Sequence, residues 1–184
     1  MKRGFTRIGA ISLMLGLAAC ASVSASAPET APDSSMDAQA PLSVFLVRHA
    51  EKKTGDDPSL TLAGEARALA LADLLEDAHI ERIHSSDYKR TRETAAPLAA
   101  RLGLEVELYD PRDLPGIAQR LKAEGGRHLV VGHSNTTGEL TELLGGEGSA
   151  PIVEATEYDR LYHVTTGADG ETVSTLLRFG QRSP

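Results

Sequence analysis

Cysteine, aromatic residues and positive charge are all scarce in this chain of 184 residues, which has one cysteine, no tryptophan and 4% aromatic residues. The lack of aromatic side chains predicts a core built from Leu, Val, Ile and Ala, and the length predicts one domain. The net charge of −7 argues against a nucleic-acid-binding protein. Any phosphate site must therefore be a local cationic pocket within a negative surface.

The N-terminus combines a basic start with the apolar run Ile8–Ala19, which is too short to span a bilayer comfortably. The run ends in Leu17-Ala18-Ala19-Cys20, which resembles a bacterial lipobox. We therefore expect an exported envelope protein with a lipoprotein-type signal peptide at residues 1–19 and a membrane anchor on a lipidated Cys20. In the alternative interpretation, a secretory signal is cut around residues 25–27 and Cys20 is incidental. A cysteine-free remainder suits either export route, because no stray thiol is left to mispair.

After Cys20, residues 20–41 are rich in Ala, Ser and Pro and predict a disordered tether, which leaves residues 42–184 as the folded domain. In this domain, strand and helix patterns alternate. Strands are predicted near residues 44–47, 80–84, 105–109, 127–131, 161–165 and 173–178. Helices are predicted after an N-cap at Thr61, after an N-cap at Asp87 with a kink or break near Pro97, and at residues 114–122 and 136–144. This order predicts an α/β fold, a three-layer α/β/α sandwich on a mostly parallel central sheet.

Three of the predicted strands end in polar groups that suit an anion. Arg48 and His49 follow the first strand, the segment 85–91 follows the second, and His133 follows the strand at 127–131. Arginine binds phosphate oxygens with two parallel hydrogen bonds, and a neutral imidazole can attack phosphorus. Each segment alone is a weak signal, but together they predict a site that grips a phosphoryl group.

The same segments carry a family resemblance. Leu46-Val47-Arg48-His49-Ala50-Glu51, Ser85-Ser86-Asp87-Tyr88-Lys89-Arg90-Thr91-Arg92-Glu93-Thr94-Ala95 and Val130-Val131-Gly132-His133-Ser134-Asn135 resemble the histidine phosphatase superfamily, which has the phosphoglycerate mutase-like fold. The resemblance implies that His49 is the nucleophile and forms a phosphohistidine. It also implies that Arg48 and Arg90 bind the phosphate and that His133 donates a hydrogen bond to it. Ala50 stands where many members have glycine.

The acid that protonates the leaving group is less well marked. The resemblance points to Asp110 or Asp113, since many relatives use an acidic residue some tens of residues after the second arginine. The alternatives are a solvated turn at Asp110 and a helix cap at Asp113, and the smallest members lack an obvious acid. Lys52 could attract an anionic substrate, or it could belong to a solvated basic pair with Lys53.

We therefore expect a metal-independent phosphatase without a cofactor that acts on a small phosphorylated substrate or an exposed phosphorylated side chain, as a monomer. The spacings of the six histidines do not form a compact metal-ligand pattern. A mutase is disfavoured because its activity needs insertions that this short domain lacks. Two other interpretations stay open: a non-catalytic envelope lipoprotein that binds phosphate or phosphopeptide, and a scaffold with a vestigial site.

Overall fold

The structure is a computed structural model, which describes residues 41–183. The predicted signal peptide at 1–19, the lipidation site Cys20 and all but the last residue of the predicted tether at 20–41 lie outside the described residues. The strands within them are β1 (Leu42–Arg48), β2 (Arg82–Ser86), β3 (Val106–Tyr109), β4 (Gly126–Gly132), β5 (Arg160–Thr166) and β6 (Thr172–Arg178). The helices are α1 (Leu62–Leu75), α2 (Lys89–Leu102), α3 (Leu114–Glu124) and α4 (Thr137–Leu143). None of these described helices has the length and apolar character needed to cross a membrane.

The six strands form one sheet in the order β3-β2-β4-β1-β5-β6. The first four of these neighbours run parallel, whereas β5 is antiparallel to β1 and β6 is antiparallel to β5. The predicted mostly parallel sheet is therefore confirmed. Because parallel strands end at the same edge of a sheet, the carboxyl ends of β2, β4 and β1 meet at one place.

Helices cover both faces of the sheet, as the pleat of β1 illustrates. Val44 and Leu46 pack in an apolar cluster with residues of α3 and α4. Phe45 and Val47, which point to the opposite face, pack with residues of α1 and α2. Both clusters are dominated by Leu, Val, Ile and Ala, in agreement with the scarcity of aromatic residues in the sequence. These two layers complete the predicted three-layer α/β/α sandwich.

Two local predictions around α2 are wrong. The N-cap is Tyr88 rather than Asp87, and the backbone N–H of Lys89 is instead bound by the distant Asp57 carboxylate at 2.8 Å. The helix also runs unbroken through Pro97. A proline inside a helix costs about 3 kcal/mol or more, but the buried apolar face of α2 continues on both sides of it through Ala95 and Leu98 and holds the helix together.

The second strand is also displaced from its predicted position, since β2 covers Arg82–Ser86 rather than residues 80–84. The shift places Ser85 and Ser86 inside the sheet, where both are fully buried. Apolar character begins at Ile80, but pairing with β4 begins only at Arg82, opposite His128. Cross-strand pairing therefore sets the boundary, and it brings Ser86 to the edge at which β4 ends.

Candidate active site

Strand register brings the two histidines of the resemblance together. Arg48 pairs with Gly132 across β1 and β4, and the backbone N–H of His49 donates to the carbonyl of Gly132 at 3.0 Å. His49 and His133 therefore leave neighbouring parallel strands at the same level. Their ring centroids lie 5.6 Å apart in an edge-to-face arrangement. The backbone N–H of Ala50 donates to Thr94 of α2 at 2.9 Å, which holds the turn after β1 in place.

The contacts of His49 fix which of its ring nitrogens is free. Its Nδ1 lies 2.8 Å from the carbonyl oxygen of Ala50, which can only accept, so Nδ1 carries the proton and Nε2 keeps its lone pair. Burial, together with the neighbouring Arg48, His133 and Arg90, lowers the pKa of His49 to about 3 against the opposing effect of the Ala50 carbonyl. The imidazole is therefore neutral near pH 7, as a nitrogen nucleophile must be.

His133 is fixed in a complementary way by hydroxyl groups. The hydroxyl of Ser86 donates to that of Thr91, which itself donates to backbone carbonyls, so Ser86 must accept the hydrogen bond from Nε2 of His133 at 2.8 Å. The neutral ring therefore presents an unprotonated Nδ1, which lies 3.5 Å from Nη2 of Arg90. Burial lowers the pKa of His133 to about 4, helped by the positive charges of Arg90 and Arg48.

Two arginines at the site have donors without partners. Arg48 donates from Nη1 to the carbonyl of Glu157 at 2.9 Å and lies 4.0 Å from the ring centroid of Tyr158, while its Nε and Nη2 are buried and have no hydrogen-bond partner among residues 41–183. Arg90 lies 4.3 Å from the ring centroid of Tyr88, and its Nε is likewise buried and unpartnered in the described structure. Buried donors of a cation without partners are costly, so this arrangement suits an anionic ligand.

The loop before β5 supports Arg48 through a cluster of four charged residues. The carboxylate of Glu157 accepts hydrogen bonds from Arg160 and Arg178, and Asp159 accepts one from Arg178 at 2.7 Å. Asp159 pairs with Arg178 and Arg160 pairs with Glu157, because Arg178 lies opposite Arg160 across β5 and β6.

A pocket of about 340 Å³ lies beside His49, Arg90 and His133, while the fully buried Arg48 is not among the residues that line it. It is lined by His49, Lys52, Tyr88, Arg90, Pro111, Arg112, His133, Ser134, Asn135, Thr136 and Glu154. Lys52 is one of these lining residues, and its attraction of an anionic substrate stays a prediction. No signal in the sequence marked Arg112 or Glu154, because neither belongs to one of the three motifs.

The two predicted acids lie outside the lining of this pocket. Asp110 forms an exposed pair with Arg112, and hydrogen bonds from the side chain and backbone of Arg112 lower the pKa of Asp110 to about 2. Asp113 caps α3 by accepting from the backbone N–H of Gly116 at 3.0 Å. Asp110 lines a neighbouring groove that shares Tyr88, Pro111 and Arg112 with the pocket. The helix-cap interpretation of Asp113 is thus confirmed, whereas a catalytic role of either carboxylate stays a prediction that its position outside the pocket lining does not favour.

Metal ligands are a separate question. Within residues 41–183, no group of three or more histidine, cysteine or acidic side chains has the geometry to hold a metal ion. The metal-independent reaction stays a prediction.

Sequence comparison finds relatives over the first half of the domain. Residues 44–111 match the family model described as the histidine phosphatase superfamily, branch 1. The chain is 38% identical over 79 residues to a probable phosphoglycerate mutase, GpmB, from Escherichia fergusonii, a match that covers 39% of this chain and 36% of that protein. The chain therefore spans just over a third of the length of this curated relative.

Solved structures extend the likeness to the whole fold. The protein histidine phosphatase SixA complexed with tungstate matches with a TM-score of 0.60 and 23% identity over 74% of this chain and 97% of SixA. Mycobacterial hydrolase 1 matches with a TM-score of 0.60 and 16% identity, over 77% and 99% of the two chains. A phosphoglycerate mutase from Bacillus anthracis matches with a TM-score of 0.55 and 16% identity, over 77% and 93%. At these identities the likeness is one of fold, and it confirms the predicted phosphoglycerate mutase-like architecture.

Proposed function

Because residues 44–111 match the model of the histidine phosphatase superfamily, we propose that the protein is a phosphatase that hydrolyses phosphomonoesters or phosphoramidates through a phosphohistidine on His49. One observation carries the proposal: a neutral imidazole with a free Nε2 lies beside two arginines whose buried donors have no partner among the described residues. A nucleophile and an oxyanion site are the two components that phosphoryl transfer requires.

The first step places the substrate phosphoryl group between the arginines. Its oxygens accept hydrogen bonds from Nε and Nη2 of Arg48 and from Arg90, which neutralises charge that would otherwise repel the nucleophile. Nε2 of His49 then forms a bond to phosphorus as the bond to the leaving oxygen breaks. The hydrogen bond from Nδ1 to Ala50 stabilises the positive charge that the ring gains on phosphorylation.

His133 acts as a donor to the same phosphoryl group. Its Nε2–H is already used by Ser86, so a contact with phosphate requires protonation of Nδ1. The arginines that lower the pKa of His133 are the groups that a bound phosphate dianion neutralises, so substrate binding favours the protonated ring. The predicted hydrogen bond from His133 to the phosphoryl oxygen thus forms on binding.

The size and charge of the pocket favour small substrates or an exposed phosphorylated side chain. Its volume of about 340 Å³ holds a phosphoryl group with a compact leaving group. Lys52 and Arg112 line it together with the catalytic groups and attract a dianion toward an otherwise acidic protein.

The test is turnover and trapping of the phosphoenzyme with the full chain. We expect hydrolysis of 4-nitrophenyl phosphate in the presence of a chelator, and an acid-labile, alkali-stable phosphoenzyme after rapid quenching. His49→Ala and His49→Asn should each lower kcat by at least about 10³-fold and abolish the phosphoenzyme. A protein that binds tungstate but never forms phosphohistidine would instead be the non-catalytic phosphate-binding lipoprotein. Loss of wild-type activity with chelator would indicate a metal enzyme.

We further propose that the enzyme works in the bacterial envelope, anchored by lipid on Cys20. The proposal is supported by the basic start, the short apolar run and the lipobox-like Leu17-Ala18-Ala19-Cys20. Metabolic labelling with a radioactive fatty acid in a bacterial host should label the wild-type protein and not Cys20→Ser. Equal labelling of both proteins, or of neither, would contradict the anchor.

A further inference from the structure

Among the residues that line the pocket beside His49, Glu154 is the only one with a carboxylate. We infer that Glu154 is the general acid that protonates the leaving group, an inference that rests on the proposed function. The leaving oxygen of a simple alkyl phosphate needs a proton as its bond to phosphorus breaks, and the donor must lie within reach of that oxygen. In this chain the donor comes from the loop before β5, and not from the segment after β3 that holds Asp110.

Glu154 lies in a short turn whose two ends are tied together. The carbonyl of Val153 accepts from the backbone N–H groups of Thr156 and Glu157 at 3.2 and 2.8 Å. The carboxylate of Glu157 in turn accepts from the N–H of Val153 at 3.1 Å. The carbonyl of Glu157 also accepts from Arg48, so the turn is attached to the arginine that would bind the phosphate. These contacts hold the backbone of Glu154 at a fixed place relative to Arg48.

The carboxylates near Arg48 and Arg90 differ in whether another residue binds them. Glu51 is held by Arg67 in a two-pronged ion pair, and Asp57 accepts the N–H of Lys89 at the start of α2. Glu154 is exposed and forms no hydrogen bond or ion pair with another described residue, while its negative charge acts on Arg48. A carboxyl group in the pocket lining that no other described residue binds can exchange a proton with the leaving oxygen of a bound substrate.

The proton and electron pairs balance over the two steps. As Nε2 of His49 bonds to phosphorus, the electron pair of the broken P–O bond stays on the leaving oxygen, which takes the carboxylic proton of Glu154. Water then attacks the phosphorus of the phosphohistidine, and the P–N electron pair returns to Nε2. The Glu154 carboxylate accepts the proton that water gives up, so the acid is restored as phosphate leaves.

The dependence on the leaving group tests this role. In the full chain, Glu154→Gln should lower kcat/KM for glycerol 2-phosphate by roughly 10²-fold or more, because an alkoxide leaves poorly without a proton. With 4-nitrophenyl phosphate the loss should be under about 5-fold, since nitrophenolate leaves without help. The matched control is Glu171→Gln, in the turn at the far end of the seven-residue strand β5, about 20 Å from the site, and it should leave both values unchanged.

Each outcome decides the question. A selective loss on the alkyl substrate supports the role of Glu154. An equal loss on both substrates, or no loss on either, overturns it and leaves His133 as the remaining proton donor. The wild-type phosphoenzyme separates the two proposals: if it does not form, the proposed function fails and this inference falls with it. If it forms and only the result for Glu154→Gln is contrary, the phosphohistidine mechanism stands.

Discussion

Mild acid should destabilise this fold through His84, which is fully buried in β2 below the site. Its Nδ1 accepts a hydrogen bond from Arg120 at 2.7 Å, and its Nε2 lies 3.0 Å from Nδ1 of His128. Nε2 of His128 donates to the carbonyl of Gly125, which can only accept, so Nδ1 of His128 accepts the proton of His84. Both nitrogens of His84 are therefore satisfied in the neutral ring. A second proton on His84 would point at the guanidinium of Arg120.

The size of the effect follows from the pKa of His84. Burial, together with the neighbouring His128 and Arg120, lowers this pKa from 6.5 to about 3 against the opposing effect of the Glu107 carboxylate. As pH falls, the unfolded chain binds the proton first, so stability is complete above pH 6.5 and is lost progressively toward pH 3. Between pH 7 and pH 5 this one histidine should reduce the free energy of unfolding by about 2 kcal/mol.

Urea unfolding of the full chain at pH 7 and pH 5 measures this loss, and His84→Gln removes the titrating ring while keeping an amide that can hydrogen bond. The variant should be less stable at pH 7, but its loss between the two pH values should be smaller than that of the wild type by about 2 kcal/mol. His79→Asn is the control, because His79 is exposed in a turn with φ of 54°, which asparagine tolerates. The reasoning is refuted if His84→Gln and the wild type lose the same stability on acidification.

Two further predictions concern the site. Arg90→Ala should raise KM and lower kcat, each by about 10-fold or more, since in the proposed mechanism Arg90 binds the phosphoryl group in both the ground state and the transition state. Arg92→Ala removes only an exposed ion pair with Asp87 and should change neither value in the same assay. Glu157→Gln should lower the free energy of unfolding by about 3 kcal/mol in urea titrations, because it leaves Arg160 buried without its charge partner. An unchanged unfolding midpoint would contradict that role.

The sequence predicted the parts of the site that follow from parallel strands. Arg48, His49 and His133 directly follow apolar runs, and runs that become parallel neighbours must end together, so their proximity could be expected before any coordinates. Local signals were sufficient for Thr61 and Asp113, whose side chains accept from N–H groups three residues ahead. Such caps are encoded within a few residues and need no knowledge of the fold.

The parts that sequence reasoning missed depend on contacts between distant segments. Asp57 binds the first turn of α2 from 32 residues away, so Asp87, next to the helix, was the wrong candidate for its cap. Glu154 and Glu157 lie in an irregular loop with no apolar period, and nothing within that loop indicates that it folds against Arg48. Pairing of β5 with β6 decides that Arg178 contacts Asp159, and a register of this kind cannot be derived from either strand alone.

The arrangement of Arg48 explains why the C-terminal part of the domain matters for a site whose motifs lie elsewhere. A guanidinium buried with two free nitrogens would tend to turn toward any available acceptor and lose its orientation. The Glu157 carbonyl and the face of Tyr158 hold one nitrogen and one side of the group, and Nε and Nη2 keep no partner among the described residues, as the proposed phosphate-binding role requires. The ion pairs of Glu157 with Arg160 and Arg178 hold that loop in turn. Residues of β5 and β6 therefore hold the loop that orients the Arg48 guanidinium, although neither strand carries one of the three motifs.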